Sequence, residues 1–467
     1  MSTRQLLLPL DFKTPPEPYL QRLVDSLTQD LDFHDQDSSY SSHNFHSFPA
    51  KFPPQLPRKF INTLTAPGDV VLDPMQGSGT TVLEALLAGR RAIGTDLDPL
   101  AMLITSVKLT PLDPWLVLRS GKEITKKAFV AFHERSETML LSLKSRWDKE
   151  TSQFIDYWFD ADTQMALMAL ILEIEQITDP TLRNFFYLAI SSIIITKTGG
   201  VSLALDLAHT RPHRAKLVYA ESGEILEGAY FVENPIPNIK YATKTLRSPI
   251  SEFDKRVQNN VKGLLRPKDI ALSALVFFGN AQDSPLAGNS VDLIVTSPPY
   301  ASNAIDYMRA HKFSLIWLGF PLNHLSQKRK EYIGGETLTG FNYEPLPEFT
   351  SKVVSEISSL DANKGQVLQR YYSEMTCTLR EMYRVLKPGK AAIVVIGSSV
   401  MRGRDTETQD CLADIGQSLG FQVPMIGVRN LDRDRRMMPA GLTINHESQI
   451  QQRMHEEYVI GFYKPEA

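Results

Sequence analysis

Cysteine is nearly absent from this chain: Cys377 and Cys411 are the only two in 467 residues. A single pair builds neither a disulfide framework nor a cysteine zinc site, which points to a reducing compartment. Long apolar runs are missing too. No stretch reaches the roughly twenty residues that a bilayer span needs, and the short run Leu6-Leu7-Leu8-Pro9-Leu10, followed by Asp11, is too brief for a signal peptide. A cytoplasmic protein with no membrane partner is expected. An excess of one charge is lacking as well: 50 Lys and Arg against 53 Asp and Glu leave a net charge of -3, so any surface for a polyanion must be local. The remaining composition, 42% apolar and 22% charged, suits a globular chain with a large core. At this length it should hold two domains, or one domain with a big insertion.

The most informative stretch is Ile294-Val295-Thr296-Ser297-Pro298-Pro299-Tyr300. Consecutive prolines cannot donate to a ladder, so the apolar strand must end at Ser297. A rigid turn then presents one hydroxyl, the carbonyls of Ser297 and Pro298, and the face of Tyr300. It does so at the carboxyl edge of a sheet, where open α/β folds bind ligands. Read alone, the tetrapeptide is equally a proline turn with a buried tyrosine. A second stretch decides its meaning. Val70-Val71-Leu72-Asp73 reads as a strand, Pro74-Met75-Gln76-Gly77-Ser78-Gly79 as a glycine loop, and Thr80 to Gly89 as a helix whose first N–H groups are unpaired. Another strand, Arg91 to Asp96, ends in an acid where a ribose diol would be gripped. The spacing fits neither the dinucleotide fingerprint nor a P-loop, which needs Gly-Lys-Ser/Thr.

Together the loop Asp73-Pro74-Met75-Gln76-Gly77-Ser78-Gly79-Thr80 and the motif Ser297-Pro298-Pro299-Tyr300 resemble the S-adenosylmethionine-dependent DNA amino-methyltransferases, in the branch with Thr-Ser-Pro-Pro-Tyr. Phe45 to Pro57 is similar to the family segment that closes over the methionine end of the cofactor, with Lys51 the candidate for its carboxylate. Gly279-Asn280-Ala281 stands where the family usually has Gly-Asp-(Ala/Ser), so Asn280 would meet the adenine amine without a charge. The stretches Ala304 to Phe313, Trp317-Leu318-Gly319, Leu379 to Lys390 (a helix with a proline-glycine stop), Ala391 to Gly397 and Glu457 to Lys464 (the last strand) extend the likeness.

The resemblance implies an α/β class I methyltransferase fold, Rossmann-like: a mainly parallel seven-stranded sheet, its last strand antiparallel, with a large, mainly helical insertion after the second strand. It divides the chain into an N-terminal extension (1–44), a cofactor half (45–100), the insertion (101–275) and a catalytic half (276–467). It assigns Lys51, Phe52, Asp73, Met75, Gly77, Gly79, Thr80, Asp96, Leu97, Asn280 and Ala281 to S-adenosyl-L-methionine, Ser297, Pro298, Pro299 and Tyr300 to catalysis, and no metal. The implied substrate is double-stranded DNA in a bacterial or archaeal cell, nucleoid-associated, with a cognate restriction endonuclease or defence-system subunits as candidate partners. Neither cysteine follows a proline, which disfavours carbon-5 cytosine methylation, and Cys377 falls inside a predicted helix. Serine at the first motif position leans towards cytosine N4 over adenine N6. RNA base methylation by the same site, and a non-catalytic nucleic-acid-binding subunit of a defence complex, are the other readings.

The insertion carries no matching motif. Gln164 to Ile174 and Leu182 to Ile194 read as buried helices in a hairpin, with Thr178-Asp179-Pro180 supplying a cap and a first-turn proline. His209 to Arg214 and a strand-like Gly228 to Val232 lie nearby. A lid and a target-recognition role are equally consistent with this composition. Two basic clusters could face DNA: Lys240, Lys244, Arg247, Lys255, Arg256, Lys262, Arg266 and Lys268, and then Arg429, Arg433, Arg435 and Arg436. Solvated faces are the plain alternative for each of these residues.

Overall fold

The structure, a computed structural model, describes residues 18–48, 51–134, 136–207, 212–266, 270, 272–301, 306–335, 341–431 and 456–466. Seven strands form the central sheet: β1 (Val70–Asp73), β2 (Arg91–Asp96), β3 (Ala274–Phe278), β4 (Val291–Thr296), β5 (Leu386–Ile396), β6 (Gln422–Asn430) and β7 (Glu456–Lys464). They lie in the order β6-β7-β5-β4-β1-β2-β3. Five are parallel through β5–β4–β1–β2–β3, and β7 runs antiparallel to both β5 and β6. This is the mainly parallel sheet with an antiparallel last strand that the resemblance implies.

Both faces of the sheet are covered, which is why its strands read as nearly continuous apolar runs. Successive side chains alternate between two cores. Val71, Leu293, Val295, Ile393, Val395 and Val459 pack under the helices Pro18–Thr28, Gln55–Leu64 and Thr80–Leu87. Leu72, Ile294, Ala392, Val394, Ile460 and Phe462 pack under Glu348–Leu360, Ala362–Val385 and Thr408–Ser418. The helix Pro18–Thr28 packs on the sheet: Leu23 and Leu27 lie over Gly461, where an added Cβ would meet Leu27 at 2.5 Å. Residues 1–17 lie outside the described residues.

The insertion after β2 is mainly helical. The helices Ala161–Glu175 and Pro180–Ile194 form the expected hairpin, and Asp179 caps the second by accepting from Thr181 N at 2.8 Å, with Pro180 in the first turn. Such a cap contributes about 1 kcal/mol. Both helices join a third core together with Pro114–Glu134, Pro249–Val261 and, from the catalytic half, Tyr307–Leu315.

Two local expectations are corrected. Gly228 to Val232 is not a strand: the strand is Ile225–Glu227, and it ends at Gly228, whose positive φ of 78° and 2.0 Å approach to the Lys216 carbonyl admit no side chain. A short helical turn, Tyr230–Glu233, follows. The helix before β5 ends at Val385, ahead of Pro388-Gly389, which lie inside β5. There the register with β4 shifts from Val291–Leu386 to Leu293–Ala391, and Gly389 takes a φ of 72°. The proline and glycine make a bulge that re-aims the strand rather than a helix stop.

Candidate active site

The parallel strands β1, β2 and β4 end at one edge of the sheet, and the residues that follow them line a common cleft. From β1 come Asp73, Met75, Gln76, Gly77, Ser78 and Thr80; from β2, Asp96, Leu97 and Asp98; from β3, Gly279, Asn280 and Ala281; from β4, Ser297, Pro299 and Tyr300. Lys51 and Phe52 complete the wall from the segment before β1. Thirteen of the fifteen sequence-assigned residues are therefore together; Gly79 and Pro298 are not on the wall. Gly79 serves the loop differently. It begins the helix Thr80–Leu87 at a φ of 71°, and a Cβ there would sit 2.5 Å from Thr105 Oγ1. Pro298 is buried beneath the turn.

The glycine loop is closed by a bond of its own and held from outside by Asp96 and Lys108. Gly77 N donates to Asp96 Oδ2 at 2.8 Å, Gly79 N donates to Gln76 O at 2.7 Å, and Lys108 Nζ donates to Ser78 O at 2.6 Å. Lys108 is fully buried, and this burial holds its ammonium pKa well below the usual lysine range. Asp96 also accepts from Asp98 N at 2.9 Å. Burial, then the neighbouring Asp98 carboxylate, push its pKa up to about 6. Asp98 in turn caps the helix Pro99–Leu109 through Leu100 N at 2.7 Å and pairs with His311 Nδ1 at 2.5 Å.

On the side of the Ser297 turn all six residues of β4 are buried. Thr296 Oγ1 donates to Asp73 Oδ1 at 2.7 Å, which joins the end of β4 to the start of the glycine loop. Burial lifts the Asp73 pKa to about 7. The Tyr300 hydroxyl donates to Glu457 Oε1 at 2.8 Å, and burial followed by this carboxylate hold its pKa well above the usual phenol range.

The site also contains residues that no motif marked. Phe48 and Tyr307 stack with centroids 5.6 Å apart, and Tyr332, Ile333, Gly334 and Gly335 close another side. Arg309 and Arg329 enter the wall paired with Asp306 at 2.7 and 2.5 Å. Phe48 and Tyr307 at least lie in segments with family likeness; Arg329 and Tyr332 carry no local signal.

Several other expectations sort differently. Asn280 Oδ1 accepts from Gln282 N at 3.0 Å, so one acceptor site of its amide oxygen is used by its own turn. Lys51 Nζ donates to His43 O at 2.9 Å beside the cleft, and the protein packed around it lowers its pKa to about 8. In the first basic cluster, Lys244 Nζ donates to Thr198 O and Ala204 O at 2.9 and 2.5 Å, while Arg247 and Lys255 both pair with Glu252. Arg429 is buried in a 2.5 Å pair with Glu457. Lys268, Arg433, Arg435, Arg436, His209, Thr210, Arg211, Ala304, Ile305, Pro49 and Ala50 lie outside the described residues. Cys377 is half-buried in the helix Ala362–Val385 and Cys411 is buried, their thiol pKa values both raised by burial. Among the described residues no helix is long and apolar enough to cross a membrane, and no cluster of His, Cys, Asp or Glu could hold a metal.

The sheet order, the glycine loop after β1 and the acid after β2 define a class I methyltransferase. A family model described as DNA methylase matches residues 21–105. The type II methyltransferase M.MvaI of Kocuria varians is 24% identical over 410 residues, covering 82% of this chain and 84% of the relative. M.BsoBI of Geobacillus stearothermophilus is 23% identical over 434 residues, 82% of this chain and 79% of the relative. The DNA adenine methyltransferase YhdJ of Escherichia coli is 33% identical over 86 residues, 18% of this chain and 28% of the relative. These likenesses support the S-adenosyl-L-methionine-dependent DNA amino-methyltransferase family, which acts at N4 or N6, and the long matches are to type II methyltransferases.

Proposed function

We propose that this enzyme methylates the exocyclic N4 amine of a cytosine flipped out of duplex DNA, at the turn Ser297-Pro298-Pro299-Tyr300. One observation carries this reading: Ser297, Pro299 and Tyr300 share a cleft with Asp96 and the Gly77 loop, with Thr296 and Asp73 hydrogen-bonded between the two halves. The residues present suit the cofactor. Asp96 offers carboxylate lone pairs to a ribose diol, Gly77 leaves room where a Cβ would meet Phe48 at 3.1 Å, and Lys51 supplies a cation for a carboxylate. Bound there, S-adenosyl-L-methionine supplies an electrophilic methyl group on a sulfonium sulfur.

The chain's own task is orientation. The amine of cytosine is a weak nucleophile because its lone pair is conjugated with the ring. Ser297 Oγ, on the cleft wall, accepts an N–H hydrogen and turns the lone pair towards the cofactor side of the cleft. The Tyr300 ring supports the base, whose extrusion costs roughly a few kcal/mol. Serine at the first motif position supports cytosine. Adenine N6 is the second reading, favoured by the match to YhdJ over 86 residues. A nuclease partner fits the type II relatives, and the insertion serves as a lid or a target-recognition region.

Ser297→Ala tests the assignment. It removes an acceptor used as the transition state forms, so turnover falls with cofactor affinity unchanged, whereas Tyr300→Ala loosens the flipped base by roughly 1–3 kcal/mol. Methyl transfer, cofactor calorimetry and 2-aminopurine fluorescence separate the two. Wild-type turnover in both variants would contradict the site.

A further inference from the structure

The Ser-Pro-Pro-Tyr turn ends on a contact that no motif describes. The Tyr300 hydroxyl lies 2.8 Å from Glu457 Oε1, across 157 residues of sequence. The other carboxylate oxygen of Glu457 pairs with Arg429 Nη1 at 2.5 Å, and Arg429 Nε donates to the Leu31 carbonyl at 3.2 Å. Glu457 and Arg429 stand directly opposite each other on β7 and β6, 8% and 6% exposed. Because β7 is antiparallel, its first residues sit at the edge where β4 and β5 end, and the turn after β4 crosses β5 to reach them.

The chemistry of these groups fixes a direction. An ionised carboxylate only accepts, so the Tyr300 hydrogen is committed to Glu457, and the phenol oxygen is left to accept from its other neighbour, the Ser297 side chain. A serine that donates to Tyr300 keeps its lone pairs for an incoming N–H.

We propose that Glu457, held by Arg429, is a positioning residue of the methyl-transfer site: it fixes the Tyr300 ring in the cleft and makes Ser297 an acceptor rather than a donor. This rests on the reading of Ser297 to Tyr300 as the base-facing turn.

The test compares Tyr300→Phe, Glu457→Ala, their combination and Ser297→Ala in the full chain. Tyr300→Phe removes only the hydroxyl, so it reports on the contact even if loss of the carboxylate beside Arg429 impairs folding. It should lose roughly tenfold in kcat, with the cofactor Kd within about twofold of wild type and a changed 2-aminopurine signal for the bound base. Glu457→Ala should lose as much, and the double variant no more than the worse single one. Wild-type kcat in Tyr300→Phe, or losses that multiply in the double variant, would overturn the proposal. If Ser297→Ala is impaired while Tyr300→Phe is not, the positioning role alone fails. If neither is impaired, the reading of the turn fails with it.

Discussion

Thr296 donates its hydroxyl hydrogen to Asp73 at 2.7 Å, joining the residue before the proline turn to the residue that opens the glycine loop. Asp73 also accepts from Met75 N at 3.2 Å, and with 2% exposure its carboxyl pKa rises to about 7. The unfolded chain gives up this proton near the ordinary value of 3.8, whereas the folded protein keeps it to about 7. Between those values the native state binds the extra proton, so this group's contribution to stability falls as pH rises. Asp73→Asn keeps an oxygen for both donors and carries no charge. It should raise stability at pH 8 by on the order of 3 kcal/mol and have little effect at pH 4. Chemical unfolding of both proteins at the two pH values checks this.

Asp96 is expected to meet the ribose and is seen to tie down Gly77 at 2.8 Å. Asp96→Ala therefore removes a ligand contact and a loop anchor at once. Cofactor affinity should drop by more than the roughly 1.5–3 kcal/mol of one charged hydrogen bond. Calorimetry with S-adenosyl-L-methionine measures it, and an unchanged Kd would place the ribose contact elsewhere, with Asp98 next.

The same carboxyl titrates near physiological pH, since its pKa stands at about 6. Only the ionised form accepts from two hydroxyls, so cofactor affinity should fall as pH drops through this value. Asp98, paired with His311, adjoins Asp96. Asp96→Asn should flatten the dependence, and a wild-type slope in that variant would show that another group titrates.

Much of this architecture could be read from local patterns, because the physical cause was local. A strand that meets Pro298-Pro299 must stop, a loop containing Gly77 and Gly79 must turn tightly, and Asp179-Pro180 must begin a helix. The misses have the opposite character. Gly228 ends a strand because the Lys216 carbonyl lies 2.0 Å from where its Cβ would be, a tertiary contact that composition does not encode. Arg329 and Tyr332 reach the cleft, and Glu457 reaches Tyr300, from separate elements through chain crossings that no short window contains. Lys244 looked like a phosphate contact because its charge is visible in sequence, and the carbonyls that bind it are not.

That buried role changes what Lys244 should do. It donates to Thr198 O and Ala204 O, and burial lowers its pKa to about 7. Lys244→Met should destabilise the protein by roughly 1–3 kcal/mol, the cost of leaving a buried acceptor unpaired. The salt dependence of DNA binding should stay unchanged, because no phosphate contact is lost. A slope reduced by about one would restore it to the DNA surface.

Methylation of cytosine N4 at the Ser297 turn is decided by sequencing DNA from cells that express the wild-type chain or Ser297→Ala, with a method that separates N4-methylcytosine from N6-methyladenine. N4-methylcytosine at one recurring sequence is expected in the wild-type sample and its loss in the variant. N6-methyladenine in its place, or equal methylation in both samples, would contradict it.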